Sequence, residues 1–87
     1  MTFQLSITTP AGSFFQDNID SVIAPGVEGL LTIMARHAPT VVALKAGIVK
    51  VKQENKETLF DIQGGVLEVD GTHQCLILAD QIDAHVS

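Results

Sequence analysis

One stretch constrains the fold more than any other: Val22-Ile23-Ala24-Pro25-Gly26-Val27-Glu28-Gly29-Leu30-Leu31-Thr32-Ile33-Met34-Ala35-Arg36-His37-Ala38-Pro39. Pro25 presets φ for the second position of a tight turn, and Gly26 offers the positive φ that a type II turn needs next, so the chain is expected to reverse there. Ala38 precedes Pro39 and is pushed toward extended geometry. Between these points Gly29 to Ile33 alternates as a short strand does, which leaves Met34 to Ala38 as a presented loop carrying Arg36 and His37. That loop is the first place to look for function.

The rest of the chain continues the pattern of short strands and turns. Phe3, Leu5 and Ile7 alternate with Gln4, Ser6 and Thr8, the period-two signature of a strand with one wet face. Thr9-Pro10-Ala11-Gly12 reads as a turn, Ser13 to Gln16 as a second strand and Ile19 to Ala24 as a third, after a polar break at Asp17-Asn18. Thr40 to Leu44 is rich in β-branched residues, and Lys45-Ala46-Gly47 is expected to turn the chain. Val49 and Val51, then Phe60 and Ile62, flank the polar stretch Gln53 to Glu57 as a hairpin with a solvated tip. Gly64-Gly65 can supply a bulge or a close backbone approach before Val66 to Val69. Asp70-Gly71 is a two-residue hairpin signal joining that strand to Gln74 through Ala79. No long amphipathic pattern of helical period interrupts this. The expectation is all-β, a two-layer antiparallel sandwich.

Length and charge narrow the function. With 87 residues the chain is one domain, near the small end of what buries a core alone. The net charge is −5 and the lysines at 45, 50, 52 and 56 are spread over one region, which disfavours nucleic acid as a partner. No apolar run reaches the ~18 residues of a membrane span, and the amino terminus lacks a basic segment followed by an apolar one, so a soluble cytoplasmic protein is expected. The single cysteine, Cys75, has no partner for a disulfide and lies in an apolar run, where a buried, inert thiol is expected.

Chemistry is poorly represented. His37, His73 and His85 fall in a loop, beside a turn and near the end of the chain, without metal-binding spacing. The serines lie outside any nucleophile-elbow pattern. Gly26, Gly29, Gly64 and Gly65 are not followed by the Lys-Ser/Thr and helix start of a phosphate loop and are read as turn and bulge positions. No catalytic residue, cofactor site or metal site is expected. Met34, Val41 and Val42 instead supply apolar area near His37, a liability on so thin a sandwich unless a partner covers it.

Four segments in register resemble the amino-terminal domain of the epsilon subunit of rotary F-type ATP synthases. They are the stretch from Val22 to Pro39, Phe3-Gln4-Leu5-Ser6-Ile7-Thr8, Gly64-Gly65-Val66-Leu67-Glu68-Val69 and Leu76-Ile77-Leu78-Ala79-Asp80, together covering nearly the whole chain. The resemblance implies a sandwich of about ten short strands over residues 1–87 and a non-catalytic rotor subunit in the central stalk. Such a subunit binds the gamma subunit and seats on the polar loops of the c ring, coupling proton flow to ATP synthesis. It would lie at the cytoplasmic face of a bacterial inner membrane, held there only through the complex.

Members of that family carry a carboxy-terminal hairpin of two helices after the sandwich; with seven residues after Asp80, this sequence is expected to lack it. Carried onto this sequence, the ring-facing residues are Glu28, Gly29, Leu30, Arg36 and His37, and those facing the gamma subunit are Thr9, His37 and Val42. The usual family pattern has a second acid where Leu30 stands, and glycines at Thr32 and Arg36. Arg36 can compensate, because a guanidinium grips a carboxylate with two parallel hydrogen bonds. The alternative is a diverged stand-alone β-sandwich binding module outside any synthase.

Overall fold

A computed structural model describes residues 1–85, so the last two residues of the expected 1–87 domain lie outside the described residues. Eight strands follow in order: β1 (Phe3–Thr9), β2 (Gly12–Ile19), β3 (Ser21–Gly26), β4 (Gly29–Met34), β5 (Thr40–Gln53), β6 (Lys56–Val69), β7 (Cys75–Ala79) and β8 (Ile82–Ala84). Hydrogen bonding links them as β2-β1-β7-β6-β5-β3-β4, with β8 beside β6.

Two long strands turn this single path into two layers. β5 and β6 have 14 residues each, and a straight strand of that length spans roughly 46 Å. The molecule measures only 28 Å along its longest axis, so both strands bend. The bend lies between the pairs Lys45↔Gly64 and Gly47↔Ile62. At Gly65 an added Cβ would collide with the Leu78 carbonyl oxygen and come within 3.0 Å of the Ala79 Cα, so only glycine lets β6 pass β7 there. The β3–β5 ladder runs from Ser21↔Lys52 to Ile23↔Lys50 and resumes only at Gly26↔Leu44. Pro25, which has no N–H to donate, sits in the gap. One layer therefore contains β2, β1, β7 and the inner halves of β6 and β5 around the Leu44–Gly65 level; the other contains β8, the hairpin halves of β6 and β5, β3 and β4.

The sandwich expectation holds, with five corrections. The strands number eight rather than about ten, because β5 and β6 each serve both layers without a break, and Lys45-Ala46-Gly47 continues β5 instead of turning. The sheet is mixed, since β1 runs parallel to β7 from Leu5↔Cys75 to Thr8↔Leu78. Pro25 and Gly26 are strand residues; the reversal is at Val27-Glu28, and the positive φ belongs to Gly29 (136°). Gly26 is required for contact instead, as a Cβ there would lie 2.7 Å from the Gly29 carbonyl oxygen. Asp70-Gly71 opens a longer loop to Gln74, in which the Asp70 carboxylate accepts from Thr72 N, Thr72 Oγ1 and Gln74 N at 2.8, 2.6 and 3.2 Å. The Asp17-Asn18 break is absent as well: β2 runs on to Ile19, and the interruption falls at Asp20.

The core alternates as expected. Phe3, Leu5 and Ile7 point inward with Leu67, Cys75 and Ile77 from one layer, against Val22, Ile33, Val49, Val51 and Ile62 from the other. Phe14 and Phe15 meet Phe60 edge-on, with ring centroids 5.4 and 5.6 Å apart, joining β2 to β6 across the layers. Among the described residues every buried side chain is apolar.

Candidate interaction surface

The β3–β4 hairpin ends in a two-residue tip, Val27-Glu28, closed by Gly26↔Gly29. Val27 N donates to the Ala43 carbonyl oxygen at 3.0 Å, which ties the tip to β5. On this anchored tip Leu30 is 75% exposed and Val27 56%, on either side of the Glu28 carboxylate. Glu28, Gly29, Leu30 and Val42 line one open hollow. Val42 is half-buried and packs on the core, whereas Val41 points outward with 68% exposure.

Arg36 and His37 lie at the far end of β4. Six strand residues separate them from the tip, roughly 20 Å. Arg36 holds a left-handed φ of 67° in the turn after Met34 and borders Thr2 and His73. His37 N donates to the Met34 carbonyl oxygen at 3.2 Å. His37 Nδ1 donates to the Ala38 carbonyl oxygen at 2.7 Å, which places the proton on Nδ1 and leaves Nε2 directed elsewhere. The five ring-facing candidates therefore form two groups, one at each end of β4.

Thr9 closes the β1–β2 turn, its hydroxyl accepting from Ala11 N at 3.1 Å and donating to the Gly12 carbonyl oxygen at 3.4 Å. It shares a layer with Val42 but lies three strands away, about 14 Å. Between them runs a row that sequence reasoning missed: Ala43↔Val66↔Leu78↔Thr8, side by side across β5, β6, β7 and β1. Val66 and Leu78 are 38% and 50% exposed, and Val41 stands two residues along β5 from Ala43, on the same outward face. A signal existed in Cys75-Leu76-Ile77-Leu78-Ala79, where unbroken apolar character on a one-sided strand marks a covered outer face. The alternation of burial along β7 confirms that Leu76 and Leu78 face away from the core.

The polar chemistry serves loops. Hydrogen bonds from the Thr72 hydroxyl, and then from the Thr72 and Gln74 amides, hold the Asp70 carboxyl below its ordinary value of 3.8. Burial pushes the Cys75 thiol up to about 12, as its inert role requires. His85 Nδ1 lies 2.9 Å from Asp61 and pins β8 to β6. Among the described residues no three His, Cys, Asp or Glu side chains are grouped to hold a metal ion, and no helix is long and apolar enough to cross a membrane.

A bent two-layer sandwich, apolar inside, with an anchored exposed tip and an apolar row outside, defines a class of small β-sandwich domain whose candidate contacts lie on its surface. Comparison with known proteins makes this specific. The family model described as the β-sandwich domain of the ATP synthase delta/epsilon chain matches residues 2–84. The chain is 46% identical over 79 residues to the ATP synthase epsilon chain of Chlorobium limicola, covering 90% of each. It is 40% identical over 87 residues to that of Desulforamulus reducens, covering 94% of this chain and 66% of that one. It spans 56% of the epsilon chain of Dehalococcoides mccartyi.

Two solved structures share the fold. A chain of the Euglena gracilis mitochondrial ATP synthase, in a structure containing OSCP, F1 and the c-ring, superposes with a TM-score of 0.89 at 25% identity, over 95% of this chain and 53% of that one. A chain of the Tetrahymena thermophila mitochondrial ATP synthase central stalk and c-ring gives 0.84 at 18% identity, over 97% and 67%. The chain belongs to the β-sandwich domain family of ATP synthase delta and epsilon chains.

Proposed function

We propose that residues 1–87 act as one domain, a non-catalytic rotor subunit in the central stalk of a proton-translocating F-type ATP synthase. It seats on polar loops of the c ring through the Val27–Leu30 tip and binds the gamma subunit through the outer face bearing Val41, Val66 and Leu78, with Thr9 at its margin. Such a subunit is peripheral, at the cytoplasmic face of a bacterial inner membrane. The observation that carries this reading is the anchored tip, in a chain that is similar to ATP synthase epsilon chains. A two-residue turn held by Val27 N to the Ala43 carbonyl oxygen presents Glu28 and two exposed aliphatic side chains on a rigid base. Glu28 is suited to a basic group on a polar loop, with Gly29 allowing close backbone approach.

Arg36 and His37 belong to this proposal as a second contact at the other end of β4, and Val42 supports the tip from beneath. Cross-linking tests the assignment. Leu30→Cys, in a reconstituted synthase with single cysteines in the c-ring loops, is expected to form disulfides with the ring. Absence of any link from position 30 would contradict ring seating. The stand-alone module remains the rival, favoured by Leu30, Thr32 and Arg36 at positions where the family pattern differs; failure to co-purify with the gamma subunit would select it.

A further inference from the structure

β8 has three residues and one neighbouring strand, β6, and the link Asp80-Gln81 joins it to β7. Ile82 alone of its side chains reaches the core, so little apolar burial holds it. Its backbone is tied by Gln63 N donating to the Gln81 carbonyl oxygen at 3.3 Å and by His85 N donating to the Leu59 carbonyl oxygen at 3.0 Å, on either side of the pair Asp61↔Asp83. Hydrogen-bonded pairs alternate along an antiparallel ladder, so Asp61 and Asp83 exchange bonds between those two ties and the Asp61 amide points to β8.

Residues directly opposite each other project from the same face, which sets two carboxylates side by side at the centre of the shortest strand. Like charges there oppose pairing. Among the described residues no lysine or arginine lies within 4.0 Å of either aspartate; the Lys50–Glu57 pair is a separate contact. The offsetting group is His85, two residues beyond Asp83 on the same face, whose Nδ1 donates to both Asp61 oxygens at 2.9 and 3.0 Å.

We propose that β8 is a strap that opens as a unit about Asp80-Gln81 while the seven-strand path stays folded, and that His85 keeps it closed by taking up the Asp61 carboxylate. Gln81, Ile82 and Asp83 form one wall of a hollow whose other wall is Thr9, Pro10 and Phe14. Opening removes that wall and frees the β6 backbone from Leu59 to Gln63. Thr9 lies at the margin of the face assigned above to the gamma subunit, so the position of the strap changes what that margin presents. The strap itself rests on register and hydrogen bonds and stands whether or not the rotor reading does.

Hydrogen exchange followed by NMR over a series of low urea concentrations tests this. The amides of Asp61 and Asp83 are expected to exchange about a hundredfold faster than those of Leu67 and Ile77, whose strands are flanked on both sides, and with a smaller urea slope. His85→Ala should speed exchange at the Asp61 amide about fivefold. Adding Asp83→Asn should return that rate to within about twofold of the native value, because the like-charge pair is then gone. Circular dichroism checks that each variant is folded. One free energy and one urea slope shared by Asp61 and Leu67 would mean that β8 leaves only when the whole sandwich unfolds. That result, an unchanged Asp61 rate in His85→Ala, or no recovery in the double variant would overturn the proposal.

Discussion

Gly65 and Gly71 carry opposite expectations although both are glycines beside polar or turn sequence. At Gly65 a methyl group meets the Leu78 carbonyl oxygen and backbone that cannot retreat, so Gly65→Ala is expected to cost about 3 kcal/mol or more in urea unfolding. At Gly71 nothing lies within 4 Å and φ is ordinary, so Gly71→Ala should be neutral or stabilise by about 0.5 kcal/mol. Equal costs at the two positions would contradict the close passage of β6 over β7.

Asp70 gives a pH-dependent test at the same scale. Its folded-state pKa lies below 3.8 because Thr72 and Gln74 bond the carboxylate, so its contribution to stability is fully present above pH 3.8. It is lost as pH falls through the folded-state value. The stability gap between the native chain and Asp70→Asn should accordingly close on acidification below 3.8. A gap that widens there would mean the loop holds the protonated acid. Cys75 provides a third test: with its thiol buried and pushed up to about 12, a thiol reagent should modify it only at the rate of unfolding.

At the scale of elements, the strands with one wet face were legible and the joints between them were not. The β1 alternation and the polar hairpin tip between β5 and β6 stand where period two and turn composition put them. The Lys45-Ala46-Gly47 break is invisible as a continuous strand, because a bend that lets β5 serve two layers has the same residues as a turn. Pro25-Gly26 misleads for a related reason: proline fits a strand wherever its missing N–H faces a gap in the ladder, and that gap exists only once β5 is in place. The candidate surface was half legible. The tip residues Glu28 to Leu30 lie in one local stretch, but the Ala43, Val66 and Leu78 row comes from three strands whose register no local pattern reveals. The parallel β1–β7 pair, which brings residue 5 to residue 75, makes a non-local topology. Folding is therefore expected in milliseconds to seconds by stopped flow. Ile77, fully buried at this pairing, should cost about 2–5 kcal/mol on change to alanine, most of the stability of so small a domain.

For the molecule as a whole, a sandwich with an apolar core holds the two proposed contact surfaces at fixed angles: the β3–β4 tip and the outer face of the β1-β7-β6-β5 layer. In the proposed rotor role rotation is transmitted only if neither surface slips, and the anchored tip and bent shared strands suit that demand. Changing Val66 and Leu78 together to aspartate is expected to leave the fold intact, since both side chains point outward, while weakening capture of the gamma subunit by at least tenfold. The most direct measurement is size exclusion with light scattering on this chain mixed with its cognate gamma subunit. Co-elution as a one-to-one complex, lost in the Val66 and Leu78 double variant, is the predicted result. Separate peaks for the two native proteins would contradict a central-stalk role and make the stand-alone binding module the better account.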